Sequence, residues 1–182
     1  VSVFVGGVPR VSVVLPIGGD HINNDIIEAF KVASITAEKL KCLHGTAKKA
    51  LLTEAERQTM LPALATDGQE RRKIIRGELA DIIEQRVEEL FLLVRESVER
   101  EGFAPDMSAG IVITGGASLL PGLMNKAADI LGARPRLGIP LAESTPDALI
   151  DDPRMSAAVG LAVLAVRAPA HDEPKGWFGS EL

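Results

Sequence analysis

The sequence has 182 residues, 46% of them hydrophobic and 25% charged, with a formal net charge of −5. These proportions fit a globular domain with a sizeable core and exclude a disordered chain, and the acidic balance argues against a protein built to grip nucleic-acid backbones. No apolar run approaches the roughly 20 residues of a spanning helix, and the single cysteine, Cys42, has no internal disulfide partner, which fits a reducing cytosol.

The chain opens on two β-branched runs, residues 1–5 and 8–15, with Gly6 and Gly7 between them where a tight hairpin turn needs positive φ. Pro16, Gly18 and Gly19 stop the second run, and Asn23, Asn24 and Asp25 offer N-cap chemistry for a short helix carrying Ile26, Ile27 and Phe30. Another helix is expected from Ser34 or Thr36 to a stop at Gly45. Residues 46–69 lack a clean period and read as an irregular excursion with a turn at Asp67 and Gly68. Leu79, Ile83, Val87, Leu90, Val94 and Val98 then fall on one stripe of a long helix, whose other face carries Glu84, Arg86, Glu88, Glu89, Arg95 and Glu96.

Ile111, Val112 and Ile113 read as a strand that delivers Thr114, Gly115, Gly116 and Ala117 at its carboxyl end, ahead of a helix running to Leu131 and stopped by Gly132. Residues 136–139 suggest a short strand, residues 140–153 a loop, and residues 155–166 an Ala-rich helix preceded by the capping candidates Asp151 and Asp152. Alternating strands and helices after a hairpin make the expected class α/β, a mixed sheet with helices and a small helical and strand subdomain. Ligands of open α/β sheets settle beyond the carboxyl ends of strands, where glycine lets backbone approach a nucleotide. By themselves, Thr114 to Ala117 are equally a ligand-binding turn or a plain strand-to-helix turn. His21, His44 and His171 have no metal-ligand spacing with Cys42, and Ser118 lies in no Gly-x-Ser-x-Gly elbow.

Five stretches, in order, carry a resemblance. They are Leu-Pro-Ile-Gly-Gly-Asp-His-Ile-Asn-Asn-Asp-Ile at residues 15–26, Ala-Glu-Lys-Leu-Lys-Cys-Leu-His-Gly at 37–45, Ile-Ile-Glu-Gln-Arg at 82–86, the glycine turn within 110–122, and Asp-Pro-Arg-Met-Ser-Ala-Ala-Val-Gly-Leu at 152–161. Together these residues resemble the bacterial division family FtsA, of the actin and Hsp70 superfamily. The resemblance implies the second lobe of an actin-like ATPase fold, incomplete. Residues 1–30 and 105–168 would form its larger subdomain, residues 31–104 its smaller one, and residues 169–182 a linker and truncated tail.

The same resemblance implies ATP with Mg2+ as cofactor. Glu38 and Lys41 would lie beside ribose and adenine, and Gly115, Gly116 and Ala117 would form the adenosine turn. The phosphate loops and the metal-binding Asp residues of the family belong to preceding sequence, so the chain is expected to hold half a site and no catalytic residue. The implied partners are the C-terminal peptide of FtsZ, further copies in a filament, other division proteins, and the cytoplasmic face of the inner membrane at the division site. Membrane contact would run through a C-terminal amphipathic helix that is absent or truncated after Trp177 and Phe178. Arg86, with Arg71, Arg72, Lys73 and Arg76 before it, offers basic side chains for a partly acidic peptide. The alternatives are an actin-fold sugar or acetate kinase and a pilus-assembly relative. A sheet without its first strand would leave an open edge at residues 1–5 or 11–15.

Overall fold

The computed structural model describes residues 1–103, 110–140 and 151–167. Most of the loop expected at 140–153 and the tail at 169–182, with Trp177 and Phe178, lie outside the described residues. Two compact units divide the chain, Val1–Gly138 and Ile139–Leu182. The described strands form three two-stranded sheets.

The opening hairpin forms as expected: β1 (Ser2–Val5) pairs antiparallel with β2 (Val8–Ser12). Gly6 and Gly7 turn it at φ 59° and 79°, a region closed to most side chains. The second strand ends at Ser12 rather than Leu15, and Val1 and Val13 close the ribbon by exchanging backbone hydrogen bonds of 2.7 and 2.8 Å. Val3 is buried, whereas Phe4, Val5 and Val8 are exposed.

Helix α1 (Gly19–Phe30) begins four residues before the expected cap, so Asn23, Asn24 and Asp25 sit inside it. Gly18 is the cap residue. Its N–H donates to Nδ1 of His21 at 3.2 Å, so a histidine three residues on takes the place that Glu or Gln holds in a capping box. Helix α2 (Ser34–His44) starts at one of the two expected residues and stops at Gly45.

The segment expected to be irregular has more order than its composition suggests. A 3-10 turn at Lys49–Leu51 leads to a short helix, α3 (Glu54–Arg57), capped by Thr53, whose hydroxyl accepts from the Glu56 N–H. A second antiparallel hairpin follows, β3 (Met60–Leu64) with β4 (Arg71–Ile75), turning through Gly68 at φ 73°.

Helix α4 (Arg76–Arg100) is the spine of the first unit. Leu79, Ile83, Val87 and Val98 of the expected stripe are buried, and Leu90 and Val94 pack partly buried against the core. Phe91, one residue off the stripe, is buried as well, because a globular helix commonly buries a face wider than one row. Strand β5 (Ile111–Ile113) pairs in parallel with β6 (Pro135–Leu137), and α5 (Leu123–Leu131) connects them, burying Leu123, Ala127 and Leu131. Helices α1, α4 and α5 enclose one core with Ile22, Ile26, Leu79 and Ile83 at its centre.

In the second unit, the described residues form a 3-10 turn at Pro153–Met155 and helix α6 (Ser156–Arg167). Asp152 caps the 3-10 turn, its carboxylate accepting from the Arg154 N–H at 2.9 Å.

Candidate functional site

Glu38 and Lys41 are three apart on α2 and share one face of its second turn, so their side chains meet. The Lys41 ammonium lies 2.7 Å from Glu38 Oε2 and donates at 3.3 Å to the Gly19 carbonyl at the start of α1. The lysine side chain is only 14% exposed and the glutamate 49%, so the acid faces outward while the base is lodged between the two helices. Asn23 of α1 donates from Nδ2 to the same Oε2 at 2.5 Å, and the Cys42 thiol donates to Oε1 at 3.0 Å. These donors, Lys41 first, then Cys42 and Asn23, hold the Glu38 carboxyl down to about 2. Glu38 is a fixed anion across physiological pH.

The glycine turn follows β5 as the sequence suggests. Gly115 has φ 90° and ψ 170°, which an L side chain rarely tolerates, and a 3-10 turn at Gly116–Leu119 comes next. The Ser118 hydroxyl, buried, donates to the Gly115 carbonyl at 2.6 Å and cinches the turn. Thr114 donates to the Gly138 carbonyl at 2.8 Å, fixing the end of β5 against the exit of β6. Helix α5 starts only at Leu123, so backbone N–H groups at the turn itself belong to the 3-10 segment.

The two halves come together at Gly19. A methyl group built there would stand 3.7 Å from the Ala117 Cβ and 3.9 Å from the Lys41 ammonium, so the start of α1, the face of α2 and the glycine turn converge. A second set of bonds holds them in register behind the site. The carbonyl of Pro121 accepts from the Ala47 N–H at 2.7 Å and from the buried Thr46 hydroxyl at 3.1 Å. Gly122 lets the backbone of Lys48 pass, and Lys48 reaches Asp129 of α5 at 2.5 Å.

Arg86 occupies a different place. On α4 it clasps Asp25 of α1 with two hydrogen bonds of 2.5 and 2.6 Å and reaches Glu89 at 2.6 Å, and the Asp25 carboxylate raises its pKa above the usual guanidinium range. Its charge is committed to joining two helices. Arg72 donates to the Phe30 carbonyl and pairs with Glu70, and Arg76 donates to the His44 carbonyl and pairs with Glu56. Of the five basic residues expected to face a partner, Arg71 and Lys73 alone form no ion pair among the described residues.

A family model described as cell division protein FtsA matches residues 1–160. The chain belongs to the FtsA family. It is 33% identical over 163 residues to the cell division protein FtsA of Rhizobium meliloti, covering 90% of this chain and 37% of that protein. It is also 33% identical over 161 residues to FtsA of Pseudomonas aeruginosa, covering 88% of this chain and 38% of that protein. The chain therefore spans less than two fifths of the length of these FtsA relatives. Its fold is actin-like: MreB5 of Spiroplasma citri, solved bound to AMPPNP, superposes with a TM-score of 0.61 over 87% of this chain and 46% of that one, at 19% identity.

FtsA membership and the actin-like fold were both legible in the glycine turn and the flanking motifs. Asn23 was not, because its place before Asp25 resembles an N-cap. The signal that locates it is the Gly18 and His21 pair, which starts α1 earlier and carries Asn23 into its second turn.

Proposed function

We propose that this chain supplies the adenosine side of an ATP site in an FtsA protein, and that the assembled protein uses nucleotide to support actin-like self-assembly while tethering FtsZ to the membrane. The carrying observation is the convergence at Gly19 of Ala117 and of Lys41 with its partner Glu38, brought together from three segments remote in sequence. In that setting Glu38 accepts from ribose hydroxyls, the Lys41 stem lies against the purine, and Gly115 and Gly116 let backbone approach the nucleoside. The AMPPNP bound by a fold relative supports the choice of ligand. Phosphates and Mg2+ fall to residues outside this chain, so hydrolysis belongs to the longer protein, which we take to be at most a weak ATPase.

Recruitment of the FtsZ tail is assigned to the hairpin side of the same unit. Met60, Pro62 and Leu64 of β3 face outward, and Pro62 and Leu64 stand opposite Lys73 and Arg71 in register, which gives a ribbon both apolar and basic. Among the described residues no helix is long and apolar enough to cross a membrane. Membrane contact is proposed to be peripheral.

The test is titration of a full-length family protein carrying this sequence with a fluorescent ATP analogue. Lys41→Ala is expected to weaken binding about tenfold, because it removes both the stem that covers the purine and one of the donors that hold Glu38 in place. Unchanged affinity in that variant overturns the adenosine assignment.

A further inference from the structure

The Glu38 carboxylate has most of its lone pairs engaged. An ionised carboxylate offers about four acceptor positions, two on each oxygen. Oε2 receives Asn23 and Lys41, and Oε1 receives Cys42. One position, on Oε1, is left. It belongs to a side chain that is half exposed, on the face where α1, α2 and the glycine turn meet.

Asn23 is the donor that α1 contributes to this carboxylate, and it does so with its own carbonyl oxygen buried and without a donor. The amide has no useful alternative orientation, since a flip would put that carbonyl oxygen 2.5 Å from a carboxylate oxygen. A buried acceptor left unmatched weakens the fold. An aliphatic side chain would avoid that cost and lose the hold on Glu38.

We propose that Asn23 is a positioning residue for ribose recognition, orienting Glu38 so that its one open acceptor position takes a single ribose hydroxyl. This rests on the nucleotide reading above and sharpens it. The site distinguishes the two hydroxyls of the ribose, discriminating against one monodeoxy nucleotide and accepting the other, because a carboxylate with one vacant lone pair binds one hydroxyl and not a pair.

The experiment compares ATP, 2′-deoxyATP and 3′-deoxyATP on a full-length family protein carrying this sequence, by competition against a fluorescent ATP analogue. The wild-type protein is expected to bind one of the two deoxy nucleotides about tenfold more weakly than ATP, and the other about as well as ATP. In Asn23→Ala, ATP affinity falls to that of the disfavoured deoxy nucleotide and the discrimination ratio approaches one. Asn23→Ser, which keeps a donor, restores part of the ratio and serves where the alanine variant does not fold. Equal loss of all three nucleotides in Asn23→Ala would mark a purely structural residue and overturn the proposal, as would a wild-type protein that rejects both deoxy nucleotides alike or neither. A folded wild-type protein that binds no ATP refutes the nucleotide reading itself, an outcome separate from all of these.

Discussion

Gly122→Ala is expected to destabilise the protein by about 2–4 kcal/mol, the sum of a left-handed backbone forced on an L residue and an overpacked contact. Gly122 has φ 80°, and a Cβ there would stand 3.0 Å from both the backbone N and the Cβ of Lys48 and 3.1 Å from Leu51 Cδ1. Backbone cannot yield as a flexible side chain can. The contact also lies next to the Pro121 carbonyl, which accepts from Ala47 and Thr46, so any shift moves the glycine turn relative to α2. Thermal unfolding should show a clear fall in midpoint, and affinity for ATP should fall in the protein that remains folded. Gly18→Ala is the matched control: φ is −165°, ordinary extended backbone, and nothing lies within 4 Å of the added Cβ. A Gly122→Ala protein as stable as the Gly18→Ala protein contradicts this account of how the two halves are held.

Arg86→Ala is expected to cost about 2 kcal/mol. Removing one partner of a fully buried ion pair costs more, but here the two side chains are 25% and 23% exposed, so water offsets part of the loss. The variant leaves the Asp25 carboxylate facing the middle of α4 without its two charge-assisted bonds. The double variant Arg86→Ala with Asp25→Ala should be more stable than Arg86→Ala alone, because the stranded charge is then gone. For an FtsZ tail peptide, Arg86→Ala should weaken binding no more than its loss of folded protein explains, whereas reversing Arg71 and Lys73 to Glu should abolish binding with the fold intact. A well-folded Arg86→Ala protein that has lost the peptide would return Arg86 to the partner surface.

The parts of the fold legible in the sequence are those whose pattern is local and strong. Gly6 and Gly7 between β-branched runs specify a hairpin without tertiary help, and the spacing from Leu79 to Val98 specifies a long buried helix. The hairpin of β3 and β4 was hidden for a physical reason. Met60, Leu61, Pro62, Ala63 and Leu64 are all apolar, so the alternation that buries Leu61 and Ala63 makes no contrast with the outward residues, and Pro62 argues against a strand. Pro62 is tolerated because the ribbon has two strands only, and a residue without an N–H fits on the open side. In β4 the charges of Arg71, Arg72 and Lys73 mask a strand whose buried anchor is Ile74.

For the candidate site, the sequence yielded residue types and the family resemblance yielded their roles, but neither gave the internal bookkeeping. That Arg86 is engaged by Asp25, 61 positions away, and that Glu38 has all but one acceptor position filled, depends on how α1 packs on α2 and α4. Such pairings are set by the core beneath, Ile22 and Ile26 against Leu79 and Ile83, which fixes the rotation of each helix about its axis.

The adenosine assignment is tested most directly by labelling with 8-azido-ATP. A full-length family protein carrying this sequence would be photolysed with the nucleotide bound and digested, and the labelled peptides identified by mass spectrometry. The account predicts label on α2 between Ser34 and Gly45 or on the turn from Thr114 to Leu120, competed away by ATP. Competable label confined to residues outside both segments would contradict it.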